Sequence, residues 1–497
     1  MSLNVAGYGL AILTLGAGIL SPAAHARKLG ELDFQPCSLQ VAMSATTVSA
    51  QCATLKVAEN PAQPKGRQIE LALAWIPAKG EAEPDPVFML AGGPGQSALE
   101  SYPQLHPAFG DVIKKRHVIL VDQRGTGKSN PLVCKDNGGK SAVAENEAIE
   151  ELDLKKAKEF AKHCATEIGK RADPRFYSTR YAVDDLDIVR QKIGAEKINL
   201  YGVSYGTRVA QQYAKRFPQQ IRSIVLDGVA PNSLILGAEH AINLENALNL
   251  HFARCASDKI CKQRFGNPRQ TLDALRAKLA IAPMTVNYSD PMSGEAKQDK
   301  LNLGALASVA RMYSYSPMTA SMLPLLLTQA AQGNGAPLLA QAQMMNESMN
   351  EAIMHGMQLS VICSEDAAEL KEDSATANTL IGNSMISFLK AQCEVWPHSN
   401  RVADFREPLK GNMPVLLLSG EFDPVTPPRY GNEVAKFLPN SRHVVVKGQG
   451  HNVMPVGCGP KIFARFIDSA DAKNLDVECL DSLAYVPPFT GFYGWEP

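Results

Sequence analysis

The chain has no surplus of either charge. Its 50 Lys and Arg offset 50 Asp and Glu, so no basic field exists to draw in nucleic acid or an anionic membrane surface. It has no internal repeat and no low-complexity tract, which excludes solenoids, propellers and tethering arrays. It has no CxxC and no His/Cys spacing of the kind that holds zinc. Gly127-Lys128-Ser129 imitates the end of a Walker A loop but lacks the first glycine at the required distance, and no G-x-G-x-x-G occurs. Nucleotide chemistry of those two kinds is therefore not expected. Beyond the first 26 residues no apolar run is long enough to span a bilayer, which takes about 20 residues.

What is present is a globular chain of 497 residues, 45% hydrophobic and 20% charged, long enough for a large domain plus a second module. Residues 1–26 read as a secretory signal: Val5 to Leu20 is apolar, and Ala24-His25-Ala26 offers small residues for cleavage, although Met1 to Asn4 carries no Lys or Arg. The alternatives are an uncleaved anchor or a tail. Export to a periplasm or the medium is the expectation, with no stable membrane association once the signal is removed. The 10 cysteines agree with it, because an even number without metal spacing points to disulfides. In chain order they form short-range couples, Cys37/Cys52, Cys134/Cys164, Cys255/Cys261, Cys363/Cys393 and Cys458/Cys479. Other connectivities are open, and buried free thiols are the competing reading.

Short apolar runs alternate with helical stretches. The runs cover Gln68 to Ile76, Pro86 to Leu90, His117 to Val121, Ile198 to Tyr201, Ile221 to Leu226, Pro414 to Leu418 and His443 to Val446. Runs apolar on both faces suit a parallel sheet covered by helices on each side. The expected fold is a doubly wound, mostly parallel α/β sheet with its chemistry at the carboxyl ends of the strands. Between Leu226 and Pro414 the strand rhythm stops. Residues 236–405 are therefore expected to form a helical cap inserted after the sixth core strand, between core segments 27–235 and 406–497. The cap holds 11 of the 16 methionines, adaptable side chains that suit either a pocket lining or ordinary helix packing.

Gly202-Val203-Ser204-Tyr205-Gly206 fits G-x-S-x-G, with a strand pattern before it and a helix pattern after it. That context lifts a serine hydroxyl out of the top of a sheet. Serine needs a base to become a nucleophile, and the base needs an orienting acid. Both follow in the order Ser, Asp, His: Asp423 in Gly420-Glu421-Phe422-Asp423-Pro424, then His451 in Gly448-Gln449-Gly450-His451-Asn452. Glu421 is the competitor for the acid role. Backbone N–H groups of Tyr205 and Gly93, the latter in Gly92-Gly93-Pro94-Gly95, are the expected oxyanion donors. Asp122-Gln123-Arg124-Gly125-Thr126-Gly127-Lys128-Ser129 reads as a packed loop beside the site, with Arg124 bracing its neighbours.

With GGPG, DQRGTGKS, GVSYG, Asp423 and His451 in place, the chain resembles the prolyl aminopeptidase family of α/β-hydrolase-fold serine peptidases. Its nearest likeness is the exported tripeptidyl-aminopeptidase-like branch. The resemblance spans about residues 68–235 and 410–480. It departs at Ala91, where many members carry His. The resemblance implies a serine hydrolase that releases one to three residues from peptides with a free N-terminus, without metal or organic cofactor. It also implies a carboxylate for the α-ammonium, for which Glu365 and Asp366 are the candidates, with Glu347 and Glu351 behind them. An esterase or lipase-like hydrolase would use the same triad. A binding protein on this scaffold would need none of it. The number of residues released, the side-chain preference and the oligomeric state are open.

Overall fold

The computed structural model describes residues 26–40, 47–134, 154–290, 293–491 and 494. The expected signal peptide therefore lies outside the described residues but for Ala26. The sheet is built from β1 (Arg27–Leu29), β2 (Leu32–Gln40), β3 (Thr47–Ala58), β4 (Gln68–Ile76), β5 (Val87–Leu90), β6 (Val118–Val121), β7 (Ile198–Val203) and β8 (Ile221–Asp227). An antiparallel hairpin, β9 (Met284–Ser289) with β10 (Ala296–Leu301), stands apart. Strands β11 (Val415–Gly420) and β12 (Ser441–Val446) complete the sheet. Its order is β1-β2-β3-β4-β6-β5-β7-β8-β11-β12. The half from β6 to β12 is parallel throughout, and β1 to β4 run antiparallel.

All seven apolar runs are strands of this sheet. Their side chains alternate between two cores, as the two-residue period of a strand requires. Phe88, Leu90, Leu200, Leu226 and Leu417 face one core, which the helices Leu154–Gly169, Thr179–Lys192 and Tyr205–Arg216 cover. Val87, Met89, Tyr201, Val225 and Leu418 face the other, under helices Ala98–Leu105 and Gly459–Ser469. The insertion follows β8, the eighth strand in chain order and the sixth of the core series that starts at β3, with β1 and β2 added at the sheet's edge. Strands β1 to β3 are partly exposed and mix polar with apolar residues, so they lack the runs that make the others legible.

The insertion between β8 and β11 is mostly helical but not wholly. The β9–β10 hairpin went unread because Ala296-Lys297-Gln298-Asp299-Lys300-Leu301 buries only Leu301. The insertion also divides in its packing. Helices His240–Ser257, Pro268–Ile281, Leu303–Tyr313, Leu323–Ala331 and Ala336–Ala352 enclose a core of their own, with Leu244, Leu306, Leu326 and Leu339 buried. Helix His355–Glu365 instead joins the main core through Met357, Val361 and Ile362. The five expected disulfides all form, and none of the cysteines is free. Five disulfides suit an oxidising compartment. Among the described residues no helix is long and apolar enough to cross a membrane.

Candidate active site

Ser204 sits at the turn between β7 and helix Tyr205–Arg216 with φ 55° and ψ −122°. A non-glycine residue adopts this region at a cost of about 1–3 kcal/mol, which the surroundings must offset. They do so through packing and hydrogen bonds. Ser204 N donates to Asp227 O at 2.9 Å, and Ser204 O accepts from Thr207 N at 2.9 Å and Thr207 Oγ1 at 2.6 Å. The flanking glycines are required by contact. A Cβ on Gly206 would stand 2.2 Å from Leu90 O, and one on Gly202 would stand 2.5 Å from Gly206 O.

Asp423 and His451 meet at the ends of neighbouring strands β11 and β12. Nδ1 of His451 lies 2.7 Å from Asp423 Oδ2, and both side chains are buried. Asp423 Oδ1 accepts from the amides of Val425 and Thr426, each at 2.8 Å, while Oδ2 also accepts from Thr426 Oγ1 at 2.9 Å. Burial opposes the charge on Asp423, but His451 and these donors hold its carboxyl below the usual range. Burial also opposes a charged His451 ring, yet the charge and hydrogen bond of Asp423, joined by the charge of Asp227, raise it above an ordinary histidine. Glu421, the competing acid, points elsewhere and accepts from Gly448 N at 2.7 Å. A Cβ on Gly228 would stand 2.8 Å from His451 Cε1. Base and serine thus flank the end of β8, Ser204 through Asp227 O and His451 against Gly228.

The glycine loop after β5 lies beside the serine: a Cβ on Gly92 would stand 3.2 Å from Ser204 Cβ. Gly93 and Gly95 have φ of 102° and 107°, a backbone that glycine adopts freely. Tyr205 opens its helix, so its amide has no intrahelical acceptor. Asp122 holds the two loops together, its Oδ1 accepting from Ser97 Oγ at 2.6 Å and its Oδ2 from Lys128 N at 3.1 Å. Arg124 braces as expected, fork to fork on Asp185 at 2.6 and 2.7 Å, with further bonds to Glu59 O and Phe176 O.

The two amine-anchor candidates lie inside the molecule. Asp366 is buried and committed on both oxygens: Oδ2 accepts from Arg208 Nη1 at 3.0 Å, and Oδ1 from Arg406 Nη2 at 2.9 Å and Leu236 N at 3.1 Å. Glu365 is equally buried, with Oε1 accepting from Thr179 N at 2.7 Å and Oε2 from Thr179 Oγ1 at 2.9 Å. Burial pushes its carboxyl up to about 7. These groups join the insertion to the nucleophile helix. The residue order Glu-Asp after an apolar helix reads the same for a substrate anchor and for an internal joint, and the positions of Arg208 and Arg406 show the joint. Glu351 is exposed.

Three residues near the site went unread. Thr426 contacts both Asp423 and His451, its Oγ1 lying 3.1 Å from His451 Nδ1. Tyr315, from the insertion, accepts His451 N on its carbonyl at 2.8 Å and sets its ring edge-on to the imidazole. Asp227 bonds the turn after His451. Of these only Asp227 carried a signal, an acid followed by glycine at a strand's carboxyl end.

Two family descriptions match the chain: "alpha/beta hydrolase fold" over residues 85–248, and "TAP-like protein" over residues 378–479. The serine protease Hip1 of Mycobacterium tuberculosis is 24% identical over 455 residues, covering 86% of each chain. The tripeptidyl aminopeptidase of Streptomyces lividans is 29% identical over 223 residues, 43% of this chain and 40% of that one. The carboxylesterase B of Mycobacterium tuberculosis is 30% identical over 261 residues, 50% of this chain and 48% of that one.

Proposed function

Since the chain belongs to the α/β-hydrolases, in their TAP-like branch, we propose that it is an exported serine aminopeptidase acting on peptides with a free N-terminus. The observation that carries this reading is the Asp423–His451 hydrogen bond at the strand ends beside a strained serine. Ser204 Oγ attacks the carbonyl of the scissile peptide bond. His451 takes the proton on Nε2, the nitrogen left over once Nδ1 is given to Asp423. The negative charge that develops on the carbonyl oxygen is met by the amides of Tyr205 and Gly93. The imidazolium, held by Asp423, then returns the proton to the leaving amine. A water activated by the same histidine hydrolyses the acyl-enzyme. The peptidase relatives support the substrate class, and the insertion, which we take as residues 236–405, is the element we assign to limiting how much of the peptide enters. The disulfides support an exported protein, retained in a periplasm or released.

A second reading, a carboxylesterase, draws on the relative of that name. Purified protein given Ala-, Pro- and Ala-Ala-Pro-type anilides, each free and acetylated at the N-terminus, separates the two. Cleavage of the free forms alone is the expected result, and the longest unit released sets the product size. Equal cleavage of acetylated forms, or turnover of simple esters only, would remove the aminopeptidase reading. Ser204→Ala should lower kcat by at least ~10³-fold with the fold retained.

A further inference from the structure

The mechanism above leaves one buried carboxylate beside the base without a task. Asp227 ends β8 and is wholly buried. Its Oδ1 accepts from Val453 N at 2.9 Å, and its Oδ2 from Met454 N at 2.9 Å and Tyr201 OH at 3.1 Å. Tyr201 OH also reaches Asn452 Oδ1 at 3.3 Å, and Asn452 itself has φ 68°. The turn that follows His451 is therefore fastened residue by residue to the end of the strand that also receives Ser204 N on its carbonyl. A turn with a non-glycine residue at positive φ does not keep its shape unaided. The fastening is anionic, and it stands where a cation forms each time His451 takes a proton.

We propose that Asp227 is a positioning residue for catalysis, a second carboxylate that fixes the His451 turn and shares with Asp423 the support of the imidazolium. The proposal rests on the serine-hydrolase reading. Two tasks are divided between the acids by geometry. Asp423 touches Nδ1 and fixes the ring's rotation and tautomer. Asp227 touches only main chain and Tyr201, so it fixes where the ring is presented and acts on its charge across space. Asparagine cannot replace it: one of its two polar atoms is an NH₂ group, which would face an amide N–H as donor to donor. The charge argument agrees with the electrostatics. Burial pushes Asp227 up to about 6 while the two amides, His451 and Tyr201 pull it back, and His451 is raised in return. Among the described residues the ring also faces Asp423, the edge-on Tyr315 and the buried His240, the last brought down to about 3 by burial, Arg311 and His451.

The test is Asp227→Asn in the full chain, with kcat/KM followed against pH on the best anilide. Removing the charge lowers the pKa of His451, so the acid limb should move to lower pH by roughly half a unit or more. The plateau kcat should fall by roughly tenfold or more with KM little changed. A purely structural role would lower the melting temperature and leave the limb where it was. Tyr201→Phe, which takes one donor from the carboxylate and leaves its shape, should move the limb the same way by less, and it decides the matter if Asp227→Asn does not fold. The titration of the His451 ring can also be read by NMR in the Ser204→Ala background, where no turnover is needed. An unmoved imidazole titration in both variants would overturn the proposal. Loss of the serine-hydrolase reading would show instead as full activity in Ser204→Ala.

Discussion

Ser204 is held at φ 55° by contacts that leave no room for a relaxed turn, since Gly202 and Gly206 already touch main chain at β5 and in the elbow itself. The strain presents the hydroxyl at the end of the sheet. At the same scale, the electrostatics of His451 set the pH dependence. The base works only when neutral, and its pKa lies above an ordinary histidine because Asp423 and Asp227 outweigh burial. Activity should therefore rise through a midpoint above pH ~6.5. A rate-against-pH profile with its acid midpoint well below that value would show that the two carboxylates do not act on the ring. Recognition of a charged amine adds a fall near pH ~8, where an α-amino group loses its proton.

Helix Tyr205–Arg216 is the element on which the site depends. It carries the nucleophile's elbow at one end and, one turn on, the buried Arg208 that pairs with Asp366. Arg406, just past the end of the insertion, completes the joint on Asp366 and Glu369. Truncating Asp366 to alanine leaves the buried Arg208 with only the more distant Glu365, at 3.8 Å, as counter-charge, and leaves Arg406 with Glu369 as its one remaining carboxylate. Such a loss costs about 3–5 kcal/mol and should appear as a lower midpoint in urea unfolding. Glu369→Ala removes the exposed end of the same network, where an ion pair is worth no more than about 1 kcal/mol. Equal losses in the two variants would mean the joint is not held by its buried part. These elements also mark what a sequence can reveal. Strands β4 to β8 and β11 announce themselves because both faces are largely buried, and the half-exposed β12 because of its Val444-Val445-Val446 run. Strands β1 to β3 and the β9–β10 hairpin do not, because a half-exposed strand needs only a few apolar residues. Glu365 and Asp366 were visible as an acidic pair, but their partners lie about 160 residues earlier and 40 later (Arg208 and Arg406).

On the scale of the whole molecule, the disulfides tie loops to the body at both ends of the site. Cys134–Cys164 anchors the segment after the DQRG loop to helix Leu154–Gly169, and Cys458–Cys479 closes the chain after the histidine turn. Each such bond typically adds ~2–4 kcal/mol, so reduction of the purified protein should lower its melting temperature clearly. An unchanged melting temperature would mean that the cysteines are unpaired in solution. Tyr315 gives the insertion a hold on the histidine turn as well, so loosening the insertion disturbs the base and not only access to it.

The sequence by itself determined the parallel half of the sheet, the serine elbow and the order of acid and base, and it offered the observed pairing of cysteines as one connectivity among several. Each of these is a local matter: a run of apolar residues, a turn that tolerates only glycine at two positions, or partners close in the chain. Only the tertiary structure decided that Glu365 and Asp366 meet Thr179, Arg208 and Arg406, that helix His355–Glu365 belongs to the main core, and that Asp227 fastens the turn after His451. The reason is distance along the chain. A carboxylate's environment is set by whatever the fold packs against it, and those groups come from strands and helices whose separation in sequence carries no trace of their meeting in space.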